Sequence, residues 1–138
     1  MIIRNFDKND IYKGLLQTYK EAYSIDEITT DTVDDVLKNN NHMVVCEVDG
    51  EIIGSATLHL QKKIIRNGGL AGFIEDVAVR EKYRGHNIGS KLIQHLIDKA
   101  KELGCYKITL SCIPERVEFY KRNGFIEHSK TMRYNING

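Results

Sequence analysis

The chain has 138 residues, of which 41% are hydrophobic and 28% are charged, and its formal net charge is +1. This length supports a single core, so we expect residues 1–138 to form one domain. The near-zero net charge gives no general attraction to nucleic acid and argues against a nucleic-acid-binding module. No apolar run approaches the roughly 18 residues of a membrane span, and no signal peptide precedes the polar sequence, which predicts a cytoplasmic protein without membrane association.

The N-terminal part of the chain is predicted to form one strand and two helices. Residues 1–6 have the apolar content of a strand, and Asp7 or Asn9–Asp10 can cap the helix that follows. The first helix has an apolar face at helical spacing, formed by Ile11, Leu15, Leu16, Tyr19 and Tyr23. A second, shorter helix is predicted at about residues 31–38. Plain amphipathic packing is one explanation for both helices, and the sequence alone does not distinguish it from a role at a binding site.

The clearest hairpin in the sequence is centred on Asp49–Gly50. Two apolar-alternating runs, 43–48 and 51–60, flank this pair, and Asp-Gly in that setting favours a type I′ turn. The segment after it, residues 61–72, is polar, basic and glycine-rich, and is either a hairpin end or a flexible loop. Lys63 and Arg66 in this segment are candidate contacts for an acidic or phosphorylated substrate, although a solvated loop explains them equally well.

The central stretch of the chain reads as a strand, a turn and a helix. Residues 73–79 are rich in apolar and β-branched side chains and predict a buried strand. A basic turn with two glycines follows at residues 84–89. Apolar residues then recur every three or four positions from Ile88 to Leu103, and Gly104 is suited to the left-handed position after a helix.

A helix start after a glycine-bearing turn is a candidate anion site. The first helical turn leaves backbone N–H groups without partners, and the helix dipole places partial positive charge there. Gly85 and Gly89 allow close approach, while Arg84 and Lys91 add full charges. These features favour a phosphate or diphosphate ligand. The alternative is a solvated basic turn that only caps the helix, because neither nucleotide-binding glycine motif is present.

The C-terminal part completes an α/β pattern with a mixed, mostly antiparallel sheet. A strand is predicted at residues 106–112, a helix that begins near Pro114 and ends at Gly124 follows, and a final strand is predicted from Phe125 through Met132 and Tyr134. The three cysteines, Cys46, Cys105 and Cys112, lack metal-like spacing. We therefore expect buried free thiols and no metal site.

Several segments of the sequence resemble one family. Arg84–Gly89 (RGHNIG) is similar to the [QR]-x-x-G-x-[GA] acetyl-CoA signature of the GNAT N-acetyltransferase superfamily. Asn87 stands in place of the usual middle glycine, and Asn is the residue that best tolerates positive φ after glycine. Segments 75–77, 105–110 and 117–125 look like the glucosamine-6-phosphate N-acetyltransferase branch. The resemblance spans about residues 42–134.

The resemblance implies a fold, a coenzyme and an assembly. It implies a GNAT fold with about four flanking helices and a V-shaped opening between two parallel strands, into which acetyl-CoA enters. It also implies a homodimer that pairs through C-terminal strands and shares acceptor contacts, with the first two helices framing the acceptor pocket. The residues that the resemblance and the anion-site pattern assign to coenzyme binding are Val77, Ala78, Val79, Arg84, Gly85, His86, Asn87, Ile88, Gly89, Ser90 and Lys91.

Acetyl transfer to an amine suggests roles for four residues. A carboxylate can take the proton of the amine, which makes Glu75 and Asp76 candidates for base and substrate contact. Alternation along a strand predicts that these neighbours point to opposite faces, and an ion pair at the sheet surface is the other explanation for each. Tyr120 can protonate the leaving thiolate, or can be a core aromatic with a solvated tip. By resemblance, the N–H of Val77 polarises the thioester carbonyl.

The sequence predicts an acetyl-CoA-dependent N-acetyltransferase that acts on a small primary amine. Cys112 lacks a recognisable His partner, so direct transfer in a ternary complex is expected. Glucosamine 6-phosphate is the expected acceptor. Phe73, Ser111, Arg116 and Asn135 depart from that branch at positions that bear mainly on acceptor recognition. The alternatives are another small amine, a protein lysine, or a coenzyme-binding sensor without turnover.

Overall fold

The structure, a computed structural model, describes residues 1–137 and contains one five-stranded sheet in which strand order follows chain order. The strands are β1 (Ile2–Asn5), β2 (His42–Val48), β3 (Glu51–Lys62), β4 (Leu70–Val79) and β5 (Cys105–Thr109). Strands β1 to β4 pair antiparallel, and β5 pairs parallel with β4. The predicted mixed, mostly antiparallel sheet is confirmed.

Five helices flank this sheet. They are α1 (Leu15–Ala22), α2 (Thr30–Val36), α3 (Ile65–Gly68), α4 (Ile88–Glu102) and α5 (Val117–Arg122). Helix α3 is a single turn inside the β3–β4 hairpin, and Arg66 and Asn67 within it have positive φ. Short 3-10 helices lie at Lys8–Tyr12, Lys38–Asn40, Glu81–Tyr83 and Pro114–Arg116. Within residues 1–137, no helix combines the length and apolar character needed to cross a membrane.

The β2–β3 hairpin has the predicted tight turn. Asp49 has a φ of 50° and Gly50 a φ of 80°, which are the two left-handed conformations that a type I′ turn requires. Val48 and Glu51 face each other across it. The turn therefore fixes the register of β3, the strand that supports β4.

The first predicted helix is interrupted at Gly14. Asp7 caps the 3-10 helix Lys8–Tyr12, and α1 begins only at Leu15. Gly14 has a φ of 91°, and a Cβ atom at this position would collide with a nitrogen of Arg80. The break therefore exists because the left-handed glycine lets the Arg80 guanidinium approach the backbone.

Helices cover the two faces of the sheet unequally. Helix α4 packs on one face through buried side chains that include Leu92, Ile93 and Leu96. Helices α1 and α2 cover the other face through Leu15 and Val33. These two helices have 8 and 7 residues, whereas α4 has 15. The α1 face consequently stays more open, and Glu75 is exposed.

The predicted final strand is absent from the described residues, and β5 is shorter than predicted. Strand β5 ends at Thr109, and residues 125–137 contain no strand. Met132 and Tyr134, which were expected in that strand, are 93% and 87% exposed. A strand needs both a neighbouring strand and a surface to bury its apolar side, and this chain alone supplies neither to the tail.

Candidate active site

An opening lies between the two parallel strands. The pairing of β4 with β5 runs from Leu70–Cys105 to Phe73–Thr109 and then stops, although β4 continues to Val79. The C-terminal half of β4 therefore pairs with β3 on one side, and no strand of residues 1–137 pairs with it on the other. Val77, Ala78 and Val79, which were predicted to bind the coenzyme, lie in this half. Their open edge suits an extended ligand that pairs as a strand would.

A β-bulge places the two acidic residues at this opening. Glu75 faces Thr57 and Ala78 faces Ser55, so β4 has one extra residue here, and Asp76 has a φ of 56°. A bulge of this kind re-aims side chains and breaks the alternation of a strand. Both acids are exposed, and neither forms an ion pair within the described part of the chain.

Two residues of β4, Asp76 and Val77, lie opposite the single residue Ala56 of β3, so the regular alternation behind the expectation of opposite faces is interrupted at Asp76. Burial, followed by the nearby charges of Asp76 and Glu75 and by neighbouring tyrosines, raises the pKa of Tyr23 to about 12. Both carboxylates therefore lie within electrostatic reach of one phenol, that of the residue just after α1. The expected cost of burying two acids in an apolar strand does not arise, since the α1 face leaves them in solvent.

Sequence reasoning missed a polar group on α1 and β3. The Tyr19 hydroxyl and the Ser55 Oγ lie 3.1 Å apart, and Ser55 and Thr57 are buried. Burial raises the pKa of Tyr19, and the charge of Asp76 adds to this effect. The available signal was the alternation of Ser55 and Thr57 with apolar residues in β3. This alternation indicates that one face of β3 is polar at the place where α1, with Tyr19, packs on it.

Tyr120 lies on α5, packed edge-on against two rings. The ring centroids of Phe119 and Phe125 are 4.9 Å and 5.8 Å from that of Tyr120. Burial raises the pKa of Tyr120, and the Cys112 thiol adds to the effect. The phenol is thus protonated at neutral pH, which a general acid requires. Tyr120 also contributes to the raised pKa of Tyr23, so it belongs to the same cluster as Glu75 and Asp76.

One of the three cysteines is not buried as predicted. Cys46 is buried and Cys105 is half-buried, but Cys112 is exposed, and all three are free thiols. Cys112 is exposed because β5 ends at Thr109 and the chain leaves the sheet before it. The thiol therefore lies near the Tyr120 phenol at the open end of β5.

The loop before α4 has the conformation of an anion site. Gly85 and Asn87 have φ values of 84° and 61°, and α4 begins at Ile88. Within residues 1–137 the backbone N–H groups from Gly85 to Ser90 have no hydrogen-bond partner. A Cβ atom at Gly85 would meet nothing within 4 Å, so the loop is open to a ligand. The residues present fit a diphosphate, because consecutive free N–H groups at a helix start bind such anions.

Other predicted coenzyme residues surround this loop. The side chains of Arg84, His86 and Lys91 are exposed. The Arg84 Nε donates to the Val79 carbonyl oxygen at 3.3 Å, which links the loop to β4. At Gly89 a Cβ atom would lie 3.2 Å from Phe119 Cζ. Glycine at position 89 therefore lets α5, the helix of Tyr120, pack close to the start of α4.

We expect Asn87→Val to weaken CoA binding about tenfold or more. A β-branched residue in the left-handed conformation costs on the order of 1–3 kcal/mol, and this strain would open the loop. Asn87→Gly is the matched control, because glycine adopts the same φ without strain, and it should bind CoA as the parent does. Calorimetric titration measures the CoA affinity of both variants. Equal affinity of the valine variant would contradict the proposed loop conformation.

The structure does not bring Lys63 and Arg66 together with Glu75. Both lie in the connection between β3 and β4, and the Arg66 guanidinium stacks over the Tyr106 ring at 4.9 Å from its centroid. Leu70 begins β4, and Glu75 follows five residues later, which is roughly 17 Å at the rise of a strand. Within one chain these two cations are therefore remote from the acidic pair.

The four residues that depart from the expected branch occupy different places. Phe73 is half-buried and forms the last pair of β4 with β5. The Ser111 and Thr131 hydroxyl oxygens lie 2.7 Å apart and join the C-terminal tail to the end of β5. Arg116 lowers the pKa of Tyr120, opposing burial. Asn135 accepts a hydrogen bond from Arg133 Nε at 2.6 Å in the tail.

Comparison with known sequences gives consistent matches. The sequence model of the acetyltransferase (GNAT) family matches residues 8–125. A glucosamine 6-phosphate N-acetyltransferase of Arabidopsis thaliana is 31% identical over 138 residues, which cover 94% of this chain and 93% of that protein. A glucosamine 6-phosphate N-acetyltransferase 1 of Dictyostelium discoideum is 35% identical over 127 residues, which cover 89% and 80% of the two chains.

Solved structures match along nearly the whole chain. The crystal structure of the Arabidopsis thaliana enzyme has a TM-score of 0.90 at 29% identity and covers 98% of this chain and 97% of that one. The crystal structure of an acetyltransferase of Trypanosoma brucei has a TM-score of 0.91 at 29% identity, with coverage of 98% and 99%. The similarity therefore extends over nearly the whole chain.

Proposed function

Because this chain belongs to the acetyltransferase (GNAT) family, we propose that it transfers the acetyl group of acetyl-CoA to the amine of glucosamine 6-phosphate. The relatives from Arabidopsis thaliana and Dictyostelium discoideum are named for this reaction. The observation that carries the proposal is the run of free N–H groups from Gly85 to Ser90, which follows directly on the open edge of β4. Such an arrangement can hold a diphosphate at one end and an extended arm at the other.

The chain offers three groups for the reaction, in addition to those that bind the coenzyme. Acetyl-CoA supplies, when bound, an activated acetyl thioester. Glu75 removes a proton from the acceptor ammonium group, directly or through water, so that a neutral amine attacks. The N–H of Val77 donates to the carbonyl oxygen as negative charge develops there. Tyr120 donates its phenol proton to the sulfur as the carbon–sulfur bond breaks. The acetyl group passes directly to the amine while acetyl-CoA and the acceptor are bound at the same time.

Two other functions use the same site. Another small amine or a protein lysine could take the acceptor place, because the acceptor residues Phe73, Ser111 and Asn135 differ from the expected branch. A coenzyme sensor without turnover is the third possibility. The raised pKa of Tyr120, which keeps the phenol protonated, and the exposed position of Glu75 beside the opening favour catalysis over sensing.

One pair of measurements separates these functions. Calorimetry with CoA tests the coenzyme site, and release of CoA thiol tests turnover with glucosamine 6-phosphate, glucosamine, polyamines and a lysine peptide. We expect CoA binding and the highest kcat/KM with glucosamine 6-phosphate. CoA binding without turnover on any amine would support the sensor. A higher kcat/KM with another amine would show that this amine, and not glucosamine 6-phosphate, is the acceptor. Absence of CoA binding would reject the proposal.

We also propose that the active form is a homodimer. Apolar side chains in the C-terminal tail, Met132, Tyr134 and Ile136, are each at least 85% exposed. A second copy that covers them would remove an apolar surface that a monomer leaves in water. Lys63 and Arg66 lie far from Glu75 of their own chain. In the proposed dimer they contact instead the phosphate of the acceptor that is bound at the other copy's Glu75.

Mixing two inactive variants tests this sharing of residues. Lys63→Ala/Arg66→Ala removes the cations, and Glu75→Gln removes the base. After joint refolding, half of the dimers combine one chain of each kind, and one of their two sites then has every group. We therefore expect about a quarter of the parent turnover. No recovery, while light scattering shows mixed dimers, would contradict the shared site.

A further inference from the structure

Two consecutive residues after β4 hold helix α1 near both of its ends. Arg80 Nη2 donates to the Gly14 carbonyl oxygen at 2.9 Å, just before α1 begins. The backbone N–H of Glu81 donates to the Glu21 carboxylate at 2.8 Å, one residue before α1 ends. Helix α1 is therefore fastened to the segment that follows the open edge of β4.

The contacts of Arg80 are largely shielded from solvent. Its side chain is 14% exposed. Nε donates to Thr18 Oγ1 at 3.0 Å, and Nη2 also donates to the Ile52 carbonyl oxygen at 3.1 Å. Thr18 is fully buried and donates to the same Ile52 oxygen at 2.6 Å. A planar guanidinium with several donors in fixed directions can hold α1 and β3 at once, which a lysine cannot.

The same helix carries tyrosines of the acceptor side. The Tyr19 hydroxyl contacts Ser55, and Tyr23 is within electrostatic reach of Asp76 and Glu75. On the other side, residues 80–81 lead within a few positions into the loop that starts at Arg84. An open surface depression of about 550 Å³ lies at this junction, lined by Glu21, Glu81, Lys82 and Arg84. The junction thus joins the coenzyme loop to the C-terminal end of α1.

We propose that Arg80 is a positioning residue that couples coenzyme binding to the acceptor side of the site through helix α1. This inference rests on the proposed function. A coenzyme that orders residues 77–91 also orders residues 80 and 81, and these fix the helix that carries Tyr19 and leads directly into Tyr23. Because binding free energies are linked, the acceptor in turn strengthens coenzyme binding. A role limited to fold stability would leave α1 equally ordered with and without coenzyme.

Hydrogen exchange of residues 15–22, with and without saturating CoA, tests the coupling. In the parent protein we expect CoA to slow exchange of this segment about fivefold or more. Arg80→Met and Glu21→Ala should bind CoA but lose most of this response. They should also raise the KM for glucosamine 6-phosphate more than they lower kcat. Glu51→Gln is the matched control, because it removes only the exposed ion pair with Arg80 and should respond as the parent does.

The outcomes separate this inference from the proposed function. If CoA binds and turnover occurs, but α1 shows no CoA response in the parent or an unchanged response in the variants, the coupling is rejected and the function stands. If CoA does not bind the parent, both are rejected. Glu21 is exposed, so Glu21→Ala tests the second attachment of α1. If Arg80→Met does not fold, Arg80→Lys tests Arg80 itself, because it keeps the charge but not the forked contacts, and an unchanged response to CoA would reject the role of Arg80. An equal loss of response in Glu51→Gln would also contradict the role given to the buried contacts.

Discussion

Replacement of Tyr120 by phenylalanine is expected to lower kcat by about 10²- to 10³-fold while CoA affinity stays within about twofold of the parent. Proton donation by a placed side chain contributes on the order of 10²- to 10⁴-fold, and the phenol is the group near the opening whose raised pKa keeps it protonated. The aromatic contacts with Phe119 and Phe125 involve the ring and remain in the variant. The measurement is steady-state CoA-thiol release together with calorimetry.

The pH dependence gives this prediction a second test. Burial raises the pKa of Tyr120, so the acid is present at neutral pH and is lost only as pH rises through that raised value. The alkaline limb of kcat should therefore lie above the ordinary tyrosine pKa of about 10 and disappear in Tyr120→Phe. Tyr12→Phe, at a tyrosine that is 77% exposed, is the control and should match the parent. A small loss of kcat in Tyr120→Phe would remove the phenol from the mechanism.

Replacement of Glu75 by glutamine is expected to lower kcat by about 10²- to 10⁴-fold at neutral pH, because the amide cannot accept the ammonium proton. The deficit should narrow as pH rises, since more of the acceptor is then neutral without help. Asp76→Asn is the matched variant at the neighbouring exposed carboxylate. We expect it to change the acceptor KM more than kcat.

The comparison of these two variants decides which carboxylate is the base. If Asp76→Asn has the larger loss of kcat and the loss narrows at high pH, the roles are reversed. This reversal is a real alternative, because both acids are exposed beside the opening. Kinetics for both variants should be measured across pH with one acceptor, glucosamine 6-phosphate, so that binding and chemistry are separated.

Much of the fold follows from local sequence signals. Three local features are as predicted. They are the turn at Asp49–Gly50, the apolar face of α4, and the glycine after this helix, Gly104, which has a φ of 82°. Each of these depends on residues that are close in sequence, where conformational preference and periodicity act directly. The positive φ of Asn87 was also expected, because Asn87 stands where the family signature usually has a glycine. It too depends on a local conformational preference.

The features that sequence reasoning missed depend on partners that are distant in the chain. The bulge at Asp76 is set by the register of β4 against β3, which alternation along one strand does not contain. The break at Gly14 requires Arg80, and the cluster of Tyr19 with Ser55 requires the packing of α1 on β3. The final strand was predicted from apolar content alone, but a strand also needs a neighbour, and residues 125–137 have none within this chain.

The short pairing between β4 and β5 has a consequence for the order of assembly. Strands β2 and β3 are joined by two residues, whereas β5 can dock on β4 only after α4 has crossed back over the sheet. Contacts that close long loops form late in folding. We therefore expect the β4–β5 pairing, and with it the opening that receives the coenzyme, to form after the β2–β3 hairpin. A bound coenzyme that contacts both sides of this opening would slow the separation of the two strands on heating.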